Sequence, residues 1–244
     1  GGSMTNIKNF RQLASGIYNQ EGKKIKSNMI FRSGELSKAS TDDIQEIIDY
    51  GIKAIYDLRN PYEQQIQINH PQFEIYGFNI SQSTAKKRMQ TDFLMELANS
   101  DVEAFMISLY RDYLALSPVL KPLFKQLIHE RKPFVFHCSA GKDRTGVVGA
   151  LIMSLLNFEK DAIIHEYLTI DPKILEDAIN SQINQGLSEE IIHKIKPLSG
   201  VNQRYLDVFF DTIISKYKSI ENYYDKFLEL TEEGINQFRA FYLE

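Results

Sequence analysis

The residues of this chain best suited to chemistry are a single cysteine, Cys138, and an arginine, Arg144, that follows it after five intervening residues. Between them lie Ser139, Ala140, Gly141, Lys142 and Asp143, flanked by the apolar run Phe134-Val135-Phe136 and a long apolar stretch beginning near Thr145. A loop this short, passing from a strand into a helix, wraps its backbone N–H groups around one point. The helix amino terminus aims its partial positive charge at the same point. The product is an oxyanion cradle. Arg144 adds a planar fork matched to two oxygens of a phosphoryl group, a geometry that a lysine's point charge does not reproduce. The same field favours the thiolate of Cys138, which is the attacking form of a cysteine. A thiolate that displaces an alkoxide or phenoxide from phosphorus needs a partner to protonate the departing oxygen, and Asp or Glu commonly serves. Asp143 stands beside the arginine, with a helix N-cap or a local ion pair as its ordinary alternative. Asp57, at the end of the apolar run Ala54 to Tyr56, is the reserve, and its ordinary alternative is a structural ion pair involving Arg59. His137 belongs to the strand, where alternation turns it away from Cys138, so it is expected to steady the loop by hydrogen bonding.

A loop of this kind must be held between a strand and a helix. Phe134 to His137 reads as a strand buried on both faces, and Thr145 to Leu156 as a nearly all-apolar buried helix. Further β-rich runs are Met29 to Phe31, Lys53 to Leu58 and Phe73 to Ile80. Between the first two, Ser40 can cap a helix carrying Ile44, Ile47 and Ile48 on one face, and Gly51 stops it. Val119, Leu120, Leu123, Phe124, Leu127 and Ile128 recur at helical spacing, with Pro133 expected to end that helix. Strands alternating with helices predict an α/β fold, with a central, mostly parallel sheet flanked by helices and the site at the strands' carboxyl ends. From Asp161 onward the pattern is almost wholly helical, including Arg204 to Tyr217 and Ile220 to Tyr242, and this half is expected to pack on the sheet. Gly1-Gly2-Ser3 ahead of Met4 reads as an expression-tag remnant. Residues 4–244 show no repeat or linker and are expected to form one domain. Within it, Ser81 to Ser117 sets Lys86, Lys87 and Arg88 before apolar Phe93, Leu94 and Leu97. This stretch suits either a helical cover over the site or ordinary core packing.

Composition narrows the class. Of 244 residues, 43% are hydrophobic and 25% charged, the balance of a soluble globular protein. A formal charge of -4 supplies no global field for nucleic acid or an anionic membrane, so any anion must be captured locally. One cysteine excludes an intramolecular disulfide framework and fits a reducing compartment or a reactive thiol. The residues after Met4 lack a secretory core, and no run is long enough to span a bilayer. A cytoplasmic enzyme that is not an integral membrane protein is expected, with secretion left open should a leader have been trimmed. A Walker phosphate loop would need glycine where Phe136 stands and Ser or Thr where Asp143 stands. The five histidines form no H-E-x-x-H pair and no cluster with the cysteine, so neither a metal nor another cofactor is expected. The basic runs Lys23-Lys24-Lys26 and Lys86-Lys87-Arg88 read as solvated faces, with attraction of anionic head groups as the alternative.

The segment His137-Cys138-Ser139-Ala140-Gly141-Lys142-Asp143-Arg144-Thr145-Gly146 resembles the signature loop of cysteine-based tyrosine phosphatases. Its Gly-Lys-Asp-Arg-Thr run is similar to the bacterial and fungal branch acting on phosphotyrosine, sometimes phosphoserine, and phosphoinositides. The order and spacing of Asn9-Phe10-Arg11, Phe31-Arg32-Ser33-Gly34, Gly51-Ile52-Lys53, Asp57-Leu58-Arg59 and Glu63 resemble that branch too, as does the tail from Ile220 to Glu244. Where the branch follows Asn-Phe-Arg with Asp and a glycine pair, this chain has Gln12, Leu13, Ala14 and Ser15. The resemblance implies the cysteine-based phosphatase fold with a helical C-terminal half, and hydrolysis of phosphoprotein or phosphoinositide monoesters through a cysteinyl-phosphate, with inorganic phosphate as product. It implies Cys138 as nucleophile and Arg144 as anion clamp, with Ser139, Ala140, Gly141, Lys142 and Thr145 around the substrate phosphate. His137, Asp57 and Arg59 support them. The large classical members carry their acid on a loop beginning with tryptophan and proline, but this chain has no tryptophan. Relatives with aspartate directly before the loop arginine place the acid at Asp143. On this reading Lys142 also meets neighbouring head-group charges. The rival readings are a rhodanese-like sulfur transferase, which also sets a cysteine in a tight anion loop, and an inactive phospho-binding module.

Overall fold

The computed structural model describes residues 7–80 and 90–244. The tag remnant, Met4 and the basic triplet Lys86-Lys87-Arg88 lie outside these. Strands β1 (Arg11–Gln12), β2 (Ile30–Ser33), β3 (Ala54–Asp57), β4 (Glu74–Gly77) and β5 (Phe134–His137) form one sheet in the order β1-β2-β5-β3-β4. β1 is antiparallel to β2 and all other pairs are parallel, which is the mostly parallel sheet that the alternation of strands and helices predicts. β1 was not among the expected strands, because two residues are too few to show a period. It exists by pairing Arg11 with Arg32 and Gln12 with Phe31. β2 runs past Phe31 through Arg32 and Ser33, whose polar side chains are buried.

Strand alternation gives the sheet two apolar faces. Val135, Ile55 and Phe31 point one way, onto Ile47 and Ile52. The helix beneath them is α1 (Thr41–Asp49), started by a capping box in which Ser40 Oγ accepts from Asp43 N and Asp43 Oδ2 accepts from Ser40 N, both at 3.0 Å. It stops at Gly51, whose φ of +88° is the left-handed turn that glycine adopts without strain. Phe134, Phe136 and Tyr56 point the other way, into the main core. That core is built with α2 (Thr91–Ala98), α3 (Val102–Ser108), a π-helical turn over Leu109–Leu114, α4 (Leu120–Glu130) and α5 (Asp143–Leu155). It continues through α6 (Lys160–Leu168), α8 (Glu189–Lys194), α9 (Lys196–Ser199), α10 (Gln203–Tyr217), α11 (Ile220–Asn222) and α12 (Glu232–Tyr242), while α7 (Pro172–Asn184) packs against α8 and α9. The helical second half therefore packs on the sheet as expected. α4 ends before Pro133 is reached, because Arg131 takes a left-handed conformation (φ 35°) and returns its guanidinium to the Ile128 carbonyl at 3.0 Å. In the turn after β1, Ala14 occupies the left-handed region (φ 54°).

The parallel register aligns Ser33, Asp57 and His137 across neighbouring strands. The chain therefore leaves β2, β3 and β5 at one edge of the sheet, and Gly34, Leu58 and Cys138 begin three adjoining loops there.

Candidate active site

Cys138 emerges from β5 at the floor of a cavity of about 690 Å³. Ser139, Ala140, Lys142, Asp143 and Arg144 line the same cavity, whereas Gly141 and Thr145 lie behind it. α5 opens with Lys142 at its N-cap and Asp143 as its first residue, so the alternative of Asp143 as N-cap does not hold.

The loop's shape is held from outside. The Cys138 carbonyl meets His137 Nδ1 at 3.0 Å, the Ser139 carbonyl accepts from Glu35 N at 2.8 Å, and the Gly141 carbonyl accepts from both Arg32 Nη2 and Asn9 Nδ2 at 2.9 Å. In a trans peptide the C=O and the following N–H point in opposite directions. Tying these carbonyls outward turns the N–H groups of Ser139, Ala140 and Lys142 inward, toward one anion. Gly141 is required for this path. Its φ is +72°, and a Cβ there would stand 2.6 Å from Gly34 N and 2.7 Å from Ser33 O. Arg32 is fully buried beneath the loop and shares Glu166 with Arg11. Burial, with Arg11 beside it, lowers Arg32 to about 10, so it remains a cation at neutral pH.

His137 is also buried, and burial lowers its affinity for a proton. Its Nε2 faces the amide nitrogen of Gln67 at 2.9 Å, and that amide also donates to Asp57 Oδ2 at 3.0 Å. The imidazole therefore accepts at Nε2 and donates from Nδ1 to the Cys138 carbonyl. Its contact with the loop is this one hydrogen bond to the Cys138 carbonyl. Asp57 lies on the same face and is bound by Arg59 through Oδ1–Nε at 3.0 Å and Oδ2–Nη2 at 2.9 Å. Burial pushes the Asp57 carboxyl up, but the Arg59 hydrogen bonds and the charges around it bring it below the usual carboxylate range. Asp57 is not among the residues lining the cavity, and both of its oxygens are engaged by Arg59.

Three placements were not visible in residue spacing. Glu63 reaches over the loop and binds Arg144 end-on, Oε1 to Nη1 at 2.7 Å and Oε2 to Nη2 at 2.9 Å, and also accepts from Ser139 Oγ. Asn60 holds Glu63 in reciprocal backbone-to-side-chain bonds of 3.0 and 3.2 Å. Although burial raises it, the hydrogen bonds from Arg144 take the Glu63 carboxyl down to about 2. Thr145 Oγ1 donates to Cys138 Sγ at 3.0 Å, so this hydroxyl serves the sulfur. Lys142 is buried, with Nζ on the carbonyls of Leu198 at 2.8 Å and Gly200 at 2.9 Å. It ties the loop to α9, whose Leu198 and Ser199 form part of the cavity wall. The mouth carries two further lysines, Lys8 and Lys38, and Lys8 pairs with Asp177 of α7 at 3.0 Å. Of the segment proposed as a cover, residues 91–117 pack Leu94, Leu97 and Met106 into the main core, and Leu109 and Leu114 line the cavity. Among the described residues no group of His, Cys, Asp or Glu side chains is arranged to hold a metal ion, and no helix is long and apolar enough to cross a membrane.

Comparison with known proteins bears on this arrangement. A model of the tyrosine phosphatase family matches residues 3–244. A protein of Cupriavidus necator provisionally named a tyrosine-protein phosphatase is 26% identical over 253 residues, covering 97% of this chain and 86% of its own. The triple specificity protein phosphatase PtpB of Mycobacterium tuberculosis is 24% identical over 267 residues, covering 94% of this chain and 92% of its own. Among solved structures, the core catalytic domain of the PP-IP phosphatase SIW14 from S. cerevisiae covers 88% of this chain and 96% of its own at 17% identity. Its TM-score of 0.32 is too low to carry weight.

Proposed function

The chain belongs to the tyrosine phosphatase family, and on that premise we propose that it hydrolyses phosphate monoesters by way of a phosphoryl group carried on Cys138. The observation that carries this assignment is the convergence of Cys138, Arg144 and the inward-turned loop amides on one cavity floor. The substrate's phosphoryl oxygens take the amides of Ser139, Ala140 and Lys142. Glu63 already occupies the end of the Arg144 fork, so the guanidinium offers the substrate its Nε edge. The positive end of α5 adds to this field.

In the first step the Cys138 sulfur attacks phosphorus in line, the S–P bond forms, the P–O bond to the leaving group breaks, and Asp143 gives its proton to the departing oxygen. In the second, water attacks phosphorus and passes a proton to the Asp143 carboxylate. The S–P bond breaks and inorganic phosphate leaves, with the Thr145 hydroxyl stabilising the returning thiolate. This chemistry uses side chains and water alone. A lone thiol working as a nucleophile suits a reducing, cytoplasmic setting.

Phosphotyrosine is the substrate class we assign first. The triple specificity named for the Mycobacterium relative favours a broad range. Lys38 at the mouth supplies a cation for a head group bearing further phosphates, so soluble phosphoinositides belong in the range as well. A panel of phosphotyrosine peptides, phosphoserine peptides and short-chain phosphoinositides tests this with wild-type enzyme and Cys138→Ser. The variant is expected to lose turnover on every substrate while still binding inorganic phosphate, because an alcohol is not ionised at neutral pH and the cradle remains. Residual turnover near the wild-type rate would remove Cys138 from the mechanism, and sulfur transfer from thiosulfate without phosphatase activity would favour the rhodanese-like reading.

A further inference from the structure

A buried pair of phenols ends on Asp143. Tyr110 Oη donates to Asp143 Oδ1, and Tyr167 Oη lies 2.8 Å from Tyr110 Oη. Both tyrosines are almost wholly shielded from solvent, at 0% and 1% exposure. A phenol pair in a core often does no more than satisfy itself. This pair differs because its last acceptor lines the cavity where the reaction occurs.

The local structure is built to bring them there. Tyr110 sits in the π-helical turn Leu109–Leu114, in which Ala115 N donates to Tyr110 O at 3.1 Å. Such turns recur at functional sites because the extra residue redirects a side chain that an α-helix would aim elsewhere. Here Leu109 and Leu114 line the cavity while Tyr110 passes behind it. Gly146 admits Tyr167, since a Cβ at that position would stand 3.0 Å from the ring. Burial, with the Asp143 charge adding to it, raises Tyr110 well above the usual tyrosine range, so its hydroxyl is a neutral donor throughout the working pH.

We propose that Tyr110 is a positioning residue for proton transfer: its hydroxyl pins Asp143 Oδ1, so that Oδ2 is the oxygen that gives up and recovers the proton. Oδ2 lies 3.3 Å from the Lys142 ammonium, and the carboxyl is thereby held at both ends. A carboxyl free to rotate presents either oxygen, at varying distance, to the leaving group, and proton transfer is sensitive to that geometry. This inference rests on the assignment of Asp143 as the acid.

The test compares two substrates with different need of an acid. Phenyl phosphate expels a basic phenoxide, whereas p-nitrophenyl phosphate expels a stable anion that scarcely needs a proton. For Tyr110→Phe the ratio of kcat/KM values, p-nitrophenyl over phenyl phosphate, which reports the first step alone, is expected to rise about tenfold, a fraction of the roughly 10²–10⁴ that a general acid supplies. For Asp143→Asn the ratio should rise about a hundredfold. Both rates come from one sample, so the fraction of folded enzyme cancels and partial unfolding cannot imitate the result. If Asp143→Asn raises the ratio and Tyr110→Phe leaves it at the wild-type value, Tyr110 is a core residue and the inference fails. If Asp143→Asn leaves the ratio unchanged, the assignment of Asp143 as the acid fails instead.

Discussion

Replacing Glu63 with glutamine preserves the size of the side chain and removes the charge that braces Arg144. The two side chains are 15% and 17% exposed, and the bond between them is bidentate. In the folded protein burial disfavours the Glu63 carboxylate, but the Arg144 hydrogen bonds outweigh this and bring the group from 4.5 to about 2. At about 1.4 kcal/mol for each factor of ten, that difference is worth about 3 kcal/mol. Solvent at the cleft mouth screens part of it, leaving about 2 kcal/mol. In a chain of this length Glu63→Gln should therefore lower Tm by about 4–8 °C at pH 7. Because the folded carboxyl is more acidic than the unfolded one, the stabilisation is complete above pH 4.5 and is lost as pH falls toward about 2. Urea unfolding of both proteins, in steps from pH 7 down to about pH 3, measures the gap directly. The gap should be constant at neutral pH and should narrow once pH drops below 4.5. A gap of the same size at both ends of that range would refute the argument, since it would have to come from packing and not from charge. Turnover should fall alongside, by about tenfold, as the guanidinium loses its fixed orientation.

Gly141→Ala should cost more than the roughly 1–2 kcal/mol of an ordinary left-handed alanine, because the new methyl meets the Gly34 and Ser33 backbone. Thermal unfolding and turnover measured together check it, and an active variant of wild-type Tm would mean that the loop path tolerates a side chain. Lys142→Ala should lower kcat by similar factors on a phosphotyrosine peptide and on a soluble phosphoinositide, because the ammonium is engaged with the carbonyls of Leu198 and Gly200. A loss confined to the phosphoinositide would assign Lys142 to the substrate's additional phosphates.

Much of this protein is local in sequence, and local features are legible. The span from Cys138 to Arg144 is so short that a strand before it and a helix after it leave the chain one compact way to turn. Ser40 and Asp43 start α1 across a single turn, and the alternation in Phe134 to His137 assigns each side chain to a face before any partner is known. Elements set by pairing or by one backbone angle were not legible. β1 exists through its contact with β2, and α4 ends where Arg131 turns left-handed.

The arrangement of the site divides in the same way. The cysteine, the arginine and the glycine turn could be picked out from spacing, because they lie within one loop. Their keepers come from elsewhere in the chain: Glu63 for Arg144, Tyr110 for Asp143, Arg32 and Asn9 for the Gly141 carbonyl, and the Leu198 and Gly200 carbonyls for Lys142. A glutamate or tyrosine in a sequence gives no sign of which distant group it will face. The choice is made when parallel strands bring three loops to one sheet edge and helices from the second half close over them. The residue types dictate which chemistry is available; the long-range hydrogen bonds, formed only in the packed chain, decide how each reactive group is held.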